Sequence, residues 1–197
     1  MSRTPVSAVI LAGGLGTRIG GDKALQLLHG RPLIDWVLDA VTPQSDEVLV
    51  NANNHSEIFS TRGYRVIADL IPDWAGPLAG VQAALHVARC DWVISVPCDT
   101  PFLPDDFIAR LYAAIGTCDA AVAVVEGRRQ PTVALYRKDV LPRLNAYLDA
   151  GERRVGGWLD TLCVSEVAFN DPAAFVNINS LEDLAQASQS TLLEIQP

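Results

Sequence analysis

The chain has 197 residues, 49% of them hydrophobic, and carries 23 Asp and Glu against 15 Lys and Arg, a formal net charge of −8. This length and composition can bury a full core, which excludes a disordered tail, a collagen-like rod and a coiled coil. The acidic excess argues against nucleic acid or an anionic membrane as the partner, because both select for basic surfaces.

Strand-like and helix-like segments alternate along the chain. The predicted strands are short apolar runs, at 6–11, 47–50, 64–68, 92–96, 120–125, 132–136, 164–169 and 175–178. The predicted helices have apolar residues at helical spacing, at 32–41, 78–88, 104–115, 140–148 and 181–193, the last capped by Ser180. This alternation predicts an α/β fold, a Rossmann-like three-layer α/β/α sandwich around a mainly parallel central sheet.

The carboxyl ends of the predicted strands are where a ligand is expected. In mainly parallel sheets, ligands bind in a crevice beyond these ends. The residues that follow Leu11, Val50, Ala68 and Val96 are therefore predicted to share one crevice.

Targeting segments and common hydrolase motifs are not found. No segment approaches the roughly 20 apolar residues of a membrane helix, and the apolar run at 8–12 is too short for a signal-peptide core. The four cysteines have no CxxC spacing, and no HExxH or GxSxG motif occurs, which disfavours zinc and serine hydrolases. We expect a cytoplasmic protein whose cysteines are reduced.

A glycine-rich loop follows the first strand, between Leu11 and Lys23. Five glycines fall within the nine residues 13–21, and neither GxxxxGK[ST] nor GxGxxG is present. Glycines let backbone amides approach phosphates closely, and the two cations Arg18 and Lys23 suit a triphosphate that loses pyrophosphate. The alternative is a flexible loop with solvated charges.

Polar residues follow three other strands. Asn51 offers a donor and an acceptor that suit the edge of a base, and Asp69 could accept from the N–H groups of guanine. Asp99, flanked by prolines, is well placed to hold Mg²⁺. The alternative for each is an ordinary turn residue at a strand end.

Two basic clusters lie in the second half of this acidic chain, at 128–129 and 153–154. They could receive an anionic acceptor of the transferred group. The alternative is a solvated helix start and strand-end turns.

Several motifs together resemble a known family. The segment from Leu11 to Lys23 resembles the LxGGxxxRxxxxK signature of nucleotidyltransferases. The GPLAG, PT, GERRV and FVNIN segments at 76–80, 131–132, 151–155 and 175–179 are similar to those of molybdenum cofactor guanylyltransferases. The resemblance implies a fold of the nucleotide-diphospho-sugar transferase type. It also implies one domain over residues 1–197, with a GTP-binding N-terminal half and an acceptor-binding C-terminal half.

The resemblance also implies roles for particular residues. GTP would be bound by Leu11, Ala12, Gly13, Gly14, Lys23, Asn51, Asp69, Gly80 and Asp99. The catalytic residues would be Arg18, Lys23 and Asp99, with Mg²⁺ held by Asp99. The acceptor would be bound by Pro131, Thr132, Arg153, Arg154, Asn177 and Asn179.

The implied reaction is the transfer of GMP from MgGTP to the phosphate of molybdopterin, or of its molybdenum-loaded form, with release of pyrophosphate. Cofactor-biosynthesis proteins and molybdoenzyme chaperones are further expected partners. The nearest alternatives are the same chemistry with CTP, and a sugar-phosphate or polyol-phosphate acceptor. An alternative from another class is a non-catalytic adaptor that binds and delivers a nucleotide cofactor.

Overall fold

The elements of the fold are taken from a computed structural model, which describes residues 4–13, 23–71, 76–180 and 182–183. The strands are β1 (Val6–Leu11), β2 (Leu27–Leu28), β3 (Arg31–Pro32), β4 (Glu47–Asn51), β5 (Arg65–Ile67), β6 (Trp92–Pro97), β7 (Ala120–Val125), β8 (Arg128–Arg137) and β9 (Val164–Phe169). The α-helices are α1 (Leu33–Val41), α2 (Ser56–Ser60), α3 (Pro77–Val87), α4 (Phe107–Ala114), α5 (Leu141–Asp149) and α6 (Val155–Leu159).

The central sheet contains one reversed strand. Within the described ranges it has seven strands in the order β5-β4-β1-β6-β8-β7-β9, and β2 pairs separately with β3. All neighbours in the large sheet are parallel except β8, which runs antiparallel to both β6 and β7. The sheet is therefore mainly parallel, as predicted, with a reversal where the second half of the chain begins.

A tight hairpin produces this reversal. Val125 at the end of β7 pairs with Arg128 at the start of β8. Glu126 and Gly127 between them have φ values of 48° and 74°, the left-handed values that a two-residue hairpin turn of type I′ requires. Because β8 runs opposite to β6, this turn lies at the same end of the sheet as the carboxyl ends of the parallel strands.

Two apolar layers cover the two faces of the sheet. In β1, Ala8 and Ile10 join a buried cluster with α1 and α4, whereas Val9 joins a cluster on the other face with α3, α5 and α6. Alternate strand residues point to opposite faces, so a strand that is apolar throughout can support helices on both. This arrangement confirms the three-layer α/β/α sandwich.

The predicted strand at 175–178 is wrong. Ala173–Phe175 form a 3₁₀ turn, and residues 176–179 belong to neither sheet. Of its apolar residues, Phe175 and Ile178 are buried and Val176 is exposed. Phe175 packs its ring 4.8 Å from that of Phe169, and Ile178 is buried in a small cluster under the β2–β3 hairpin.

Several short elements are not visible in the sequence pattern. The short helices α2 and α6 and the β2–β3 hairpin were not predicted, because each is too short to show a period. The predicted helix at 181–193 lies outside the described residues apart from 182–183. Ser180 does cap this start: its Oγ accepts from the backbone N–H of Asp183 at 3.0 Å, and its own N–H donates to the Asp183 carboxylate at 2.9 Å.

One pair of cysteines forms a disulfide, although all four were expected to be reduced. Cys118 and Cys163 are joined as a disulfide, with their Cα atoms 4.8 Å apart, so the expectation that all four cysteines are reduced is wrong for these two. No helix within the described ranges has the length and apolarity that crossing a membrane requires.

Candidate active site

A pocket of about 340 Å³ opens at the carboxyl end of the sheet. Its lining residues are Leu11, Gly13, Lys23, Asn51, Asp69, Gly76, Pro77, Pro97, Cys98, Asp99 and Thr132. Residues at or just beyond the carboxyl ends of β1, β4, β5 and β6 therefore meet in one crevice, as predicted.

The parallel register explains why these strand ends coincide. Leu11 in β1 pairs with Asn51 in β4 on one side and with Pro97 in β6 on the other. The backbone bonds continue one step past the ladder, since Ala12 N–H donates to the Asn51 carbonyl at 2.9 Å and Cys98 N–H to the Leu11 carbonyl at 3.2 Å. The first residues beyond each strand are thus held by the sheet, which fixes the pocket wall.

Lys23 links Asp99 in the pocket to Asn179 outside it. Its ammonium donates to Asp99 Oδ2 in a short charged hydrogen bond, and to Asn179 Oδ1 at 2.6 Å. Asn179 in turn is positioned by its backbone N–H, which donates to Asp183 at 2.8 Å. That hydrogen bond is the main cause that lowers the pKa of Asp183, with a smaller contribution from the charge of Lys23. One cation therefore links a β6 strand end to the segment after Ile178.

Asp99 has the properties of a single-carboxylate ligand for Mg²⁺. It is 7% exposed, and its Oδ1 atom is buried without a hydrogen-bond partner among the described residues. An unsatisfied buried carboxylate oxygen is costly unless a donor or cation reaches it. The described residues contain no group of three or more His, Cys, Asp or Glu that could hold a metal. Mg²⁺ often uses only one or two carboxylates and takes its other ligands from phosphates and water, so Asp99 fits it.

Two asparagines hold Asp69 on the opposite wall. Asn51 Nδ2 donates to Asp69 Oδ1 at 2.8 Å and to the Ile67 carbonyl at 3.4 Å. Asn53 Nδ2 donates to Asp69 Oδ2 at 2.8 Å, and Asn53 Oδ1 accepts from the Asp69 N–H at 2.9 Å. This wall carries carboxylate and amide oxygens, which accept hydrogen bonds.

Gly80 lies behind this wall and leaves room for Asn51. A Cβ atom at Gly80 would overlap Asn51 Oδ1 and lie 2.7 Å from Leu11 Cδ2 and 2.8 Å from Asn51 Cγ. Gly80 does not line the pocket, and its structural role is to let helix α3 pack against Asn51. Of the two glycines in the GPLAG segment at 76–80, the resemblance assigned Gly80 to GTP binding, but Gly76 is the one that lines the pocket.

Thr132 reaches the pocket through an irregularity in β8. Gln130 pairs with Ala123 and Ala134 pairs with Val122, so residues 131–133 are extra on the β8 side. Such a bulge redirects side chains and is common beside functional sites. The buried hydroxyl of Ser95 in β6 donates to the Thr132 carbonyl at 2.9 Å and so holds the bulge in place.

Some of the residues expected to bind the acceptor lie elsewhere. Pro131, Arg153, Arg154, Asn177 and Asn179 do not line the pocket. The guanidinium of Arg153 donates to the Leu148 and Glu152 carbonyls at 2.7 Å, and the Arg154 carbonyl accepts from Tyr147 Oη.

Asn177 and the first basic cluster are also held by contacts within the protein. Asn177 Oδ1 accepts from the Thr100 hydroxyl at 2.7 Å, one residue after Asp99. In the first basic cluster, Arg129 is paired with Asp160 and Glu166, each at 2.7 Å, which raises its pKa. Arg129 is therefore committed to surface ion pairs.

Two predicted residues lie outside the described part of the chain, namely Gly14 and Arg18. The predicted site residues did not include Gly76, Pro77, Pro97 and Cys98, which line the pocket, or Asn53 and Ser95, which hydrogen-bond to pocket residues. A signal for Asn53 was present, because Asn51 and Asn53 are two apart at a strand end, and that spacing places side chains on one face. Ser95 lies inside an apolar strand and gave no such signal.

The fold and this pocket define a nucleotide-binding α/β protein of the nucleotidyltransferase class. Residues 8–162 match the family model described as the MobA-like NTP transferase domain. The chain is 42% identical over 192 residues to the molybdenum cofactor guanylyltransferase of Cupriavidus metallidurans, covering 93% of this chain and 95% of that one. The corresponding Burkholderia orbicola protein is 44% identical over 192 residues, covering 91% and 94%.

A solved structure agrees with these relatives. The molybdopterin-guanine dinucleotide biosynthesis protein A of Archaeoglobus fulgidus superposes with a TM-score of 0.80 at 25% identity, covering 95% of this chain and 99% of that chain. The chain belongs to the MobA-like NTP transferase family, and within it to the molybdenum cofactor guanylyltransferases.

Proposed function

We propose that this protein transfers GMP from GTP to the terminal phosphate of molybdopterin, or of its molybdenum-loaded form. An acceptor phosphate oxygen attacks the α-phosphorus, the bond from that phosphorus to the bridging oxygen breaks, and pyrophosphate leaves. The observation that carries this proposal is the Lys23–Asp99 pair at the strand-end pocket, opposite a wall of hydrogen-bond acceptors. The names of the relatives and of the solved neighbour support the same reaction.

The chain's own residues would act by position and charge. The acceptor phosphate is already ionised at neutral pH, so no strong base is needed. Lys23 reaches the pocket and would stabilise charge that develops on the departing pyrophosphate, together with Arg18. Asp99 would hold Mg²⁺ through its buried Oδ1, and Mg²⁺ when bound supplies charge neutralisation at the phosphate oxygens.

The pocket wall formed by Asn51 and Asp69 is rich in hydrogen-bond acceptors, which favours guanine as the base. Guanine presents N1–H and an N2 amino group as adjacent donors, whereas cytosine presents an acceptor at N3. Asn51 and Asp69 line the pocket, and Asn51 Oδ1 and the Asp69 carboxylate would accept hydrogen bonds from these donors. Leu11, Ala12, Gly13 and Gly14 would position the rest of the nucleotide.

The acceptor is proposed to enter beside Thr132. This residue lies in the bulge of β8 and lines the pocket. Pro131, Arg153, Arg154, Asn177 and Asn179 would contact parts of the pterin beyond the pocket described here. A cytoplasmic location and contacts with cofactor-biosynthesis proteins or molybdoenzyme chaperones stay predictions from the sequence.

The test is pyrophosphate release from purified protein with molybdopterin and each of GTP, CTP, ATP and UTP, with and without Mg²⁺. We expect GTP to be the best donor and Mg²⁺ to be required. Faster release with CTP, or with a sugar phosphate as acceptor, would identify one of the alternative enzymes. Binding of GTP without pyrophosphate release under every condition would identify the adaptor.

The role of Asp99 is tested by Asp99→Ala, which is expected to lower kcat by at least about a hundredfold, since it removes charge stabilisation at the reacting phosphates. Asp105→Ala is the matched control, because Asp105 is an exposed aspartate close in sequence that does not line the pocket. Unchanged pyrophosphate release in Asp99→Ala would contradict the proposed metal role.

A further inference from the structure

The side chain of Asn53 does not line the pocket, yet both ends of its amide are bound to one pocket residue. Its Nδ2 donates to the Asp69 carboxylate at 2.8 Å, and its Oδ1 accepts from the Asp69 backbone N–H at 2.9 Å. An amide that meets an acceptor at one end and a donor at the other has only one satisfied orientation. Asn53 therefore fixes both the backbone and the carboxylate of Asp69.

The orientation of Asp69 decides which end of Asn51 faces the pocket. The Asn51 amide meets two acceptors at one end, Asp69 Oδ1 and the Ile67 carbonyl, so this end is the amino group. The other end, Oδ1, lies between Gly80 and the pocket-lining Gly13, 3.5 Å from where a Cβ of Gly13 would be. If the Asp69 carboxylate turned away, the 2.8 Å bond would be lost, and the amide could rotate to present its amino group.

We infer that Asn53 is a positioning residue for base selection, which acts through Asp69 on Asn51. This inference rests on the proposed guanylyltransferase function. With Asn53 in place, Asn51 Oδ1 is a fixed acceptor for the exocyclic amino group of guanine. A site with a fixed acceptor discriminates against a base that lacks the matching donor, because that acceptor is then left unpaired.

Inosine triphosphate is the probe that isolates this interaction. Its base keeps the N1–H group and lacks only the N2 amino group. Wild-type protein is expected to prefer GTP over ITP by about tenfold in kcat/KM, the effect of one well-placed hydrogen bond. Asn53→Ala is expected to raise the KM for GTP, leave kcat within about twofold, and reduce the GTP-to-ITP preference to less than about threefold.

Asn54→Ala is the matched control. Asn54 directly follows Asn53 in the chain. It is exposed, and its side chain makes no hydrogen bond to the described residues. It should keep the wild-type preference. Equilibrium binding of GTP and ITP, measured without acceptor, gives the same comparison independently of turnover, and melting temperatures of the two variants show whether either is unfolded.

A double mutant separates positioning from a general loosening of the loop. If Asn53 acts through Asn51, the preference is already lost in Asn51→Ala, and adding Asn53→Ala changes it no further. Equal losses for GTP and ITP in Asn53→Ala, or an additive loss in the double mutant, would overturn the inference. Failure of wild-type protein to use GTP with molybdopterin would instead overturn the proposed function, so the two failures are distinguishable.

Discussion

Replacing Gly80 by alanine tests whether the pocket wall formed by Asn51 and Asp69, here called the Asn51 wall, is rigid. The added Cβ would overlap Asn51 Oδ1 and lie 2.7 Å from Leu11 Cδ2, closer than carbon atoms normally approach. Asn51 cannot retreat without stretching its hydrogen bonds to Asp69 and to the Ile67 carbonyl. The substitution is therefore expected to deform the pocket, although alanine favours a helix more than glycine does.

The magnitude follows from three opposing contributions. Overpacking a close contact costs about 1–3 kcal/mol, and a lost hydrogen bond to a carboxylate costs about 1.5–3 kcal/mol. The better helix propensity of alanine returns about 1 kcal/mol. We expect a net loss of about 3 kcal/mol in the free energy of unfolding, which for a chain of this size lowers the melting temperature by about 6–12 °C.

Gly156→Ala is the matched control in the same protein. Gly156 lies in helix α6, and a Cβ there would meet nothing within 4 Å. This variant should be stabilised by about 0.5–1 kcal/mol, because only the helix propensity changes. The assays are thermal unfolding and the equilibrium affinity for GTP, which should fall about tenfold in Gly80→Ala and not in Gly156→Ala. If Gly80→Ala were as stable as Gly156→Ala and bound GTP normally, the Asn51 wall would not be rigid.

Three further substitutions address charge and the acceptor side. Lys23→Met should lower kcat about a hundredfold through lost charge stabilisation, whereas Lys138→Met, at the other lysine, bonded to the Ala88 carbonyl, should keep wild-type pyrophosphate release. Burial alone would raise the pKa of Glu47, but hydrogen bonds from the Arg89 N–H, the Ser7 hydroxyl and Arg65 outweigh it and lower that pKa. Its stabilising contribution is therefore present above the ordinary pKa of about 4.3 and lost as the pH falls through the lower folded value. The difference in melting temperature between wild type and Glu47→Gln should shrink between about pH 5 and pH 3, and a constant difference would contradict the shift. Ser95→Ala should raise the KM for the acceptor more than that for GTP, because the Ser95 hydroxyl holds the Thr132 carbonyl; equal changes in both KM values would argue against it.

The nucleotide side of the fold follows from patterns within short segments. The run at Val6–Leu11 is apolar at every position but Ser7, which predicts a buried parallel strand, and the polar residues after β4, β5 and β6 then fall at one edge of the sheet. Both inferences depend only on local periodicity and on a general rule for parallel sheets. They required no knowledge of which distant residues touch.

The second half was harder to predict for a physical reason. The runs at 120–125 and 132–136 are both apolar, and hydrophobic periodicity contains no information about strand direction. The two-residue turn at Glu126–Gly127 was the signal for antiparallel pairing. The hydrogen bond from Lys23 to Asn179 joins residues 156 apart in sequence, a distance over which no local pattern reports.

Because strand β8 is reversed, the two sides of the pocket are formed by different parts of the fold. The proposed nucleotide side is formed by the ends of parallel strands buried in the sheet, where any change disturbs the core. The proposed acceptor side includes the β7–β8 hairpin, whose turn at Glu126–Gly127 lies beyond the last ladder pair. The residues at the tip of this hairpin can therefore be replaced together by those of a relative. A chimera that carries residues 126–132 from a relative with another acceptor should bind GTP with unchanged affinity, and a loss of that affinity would show that the two sides are coupled.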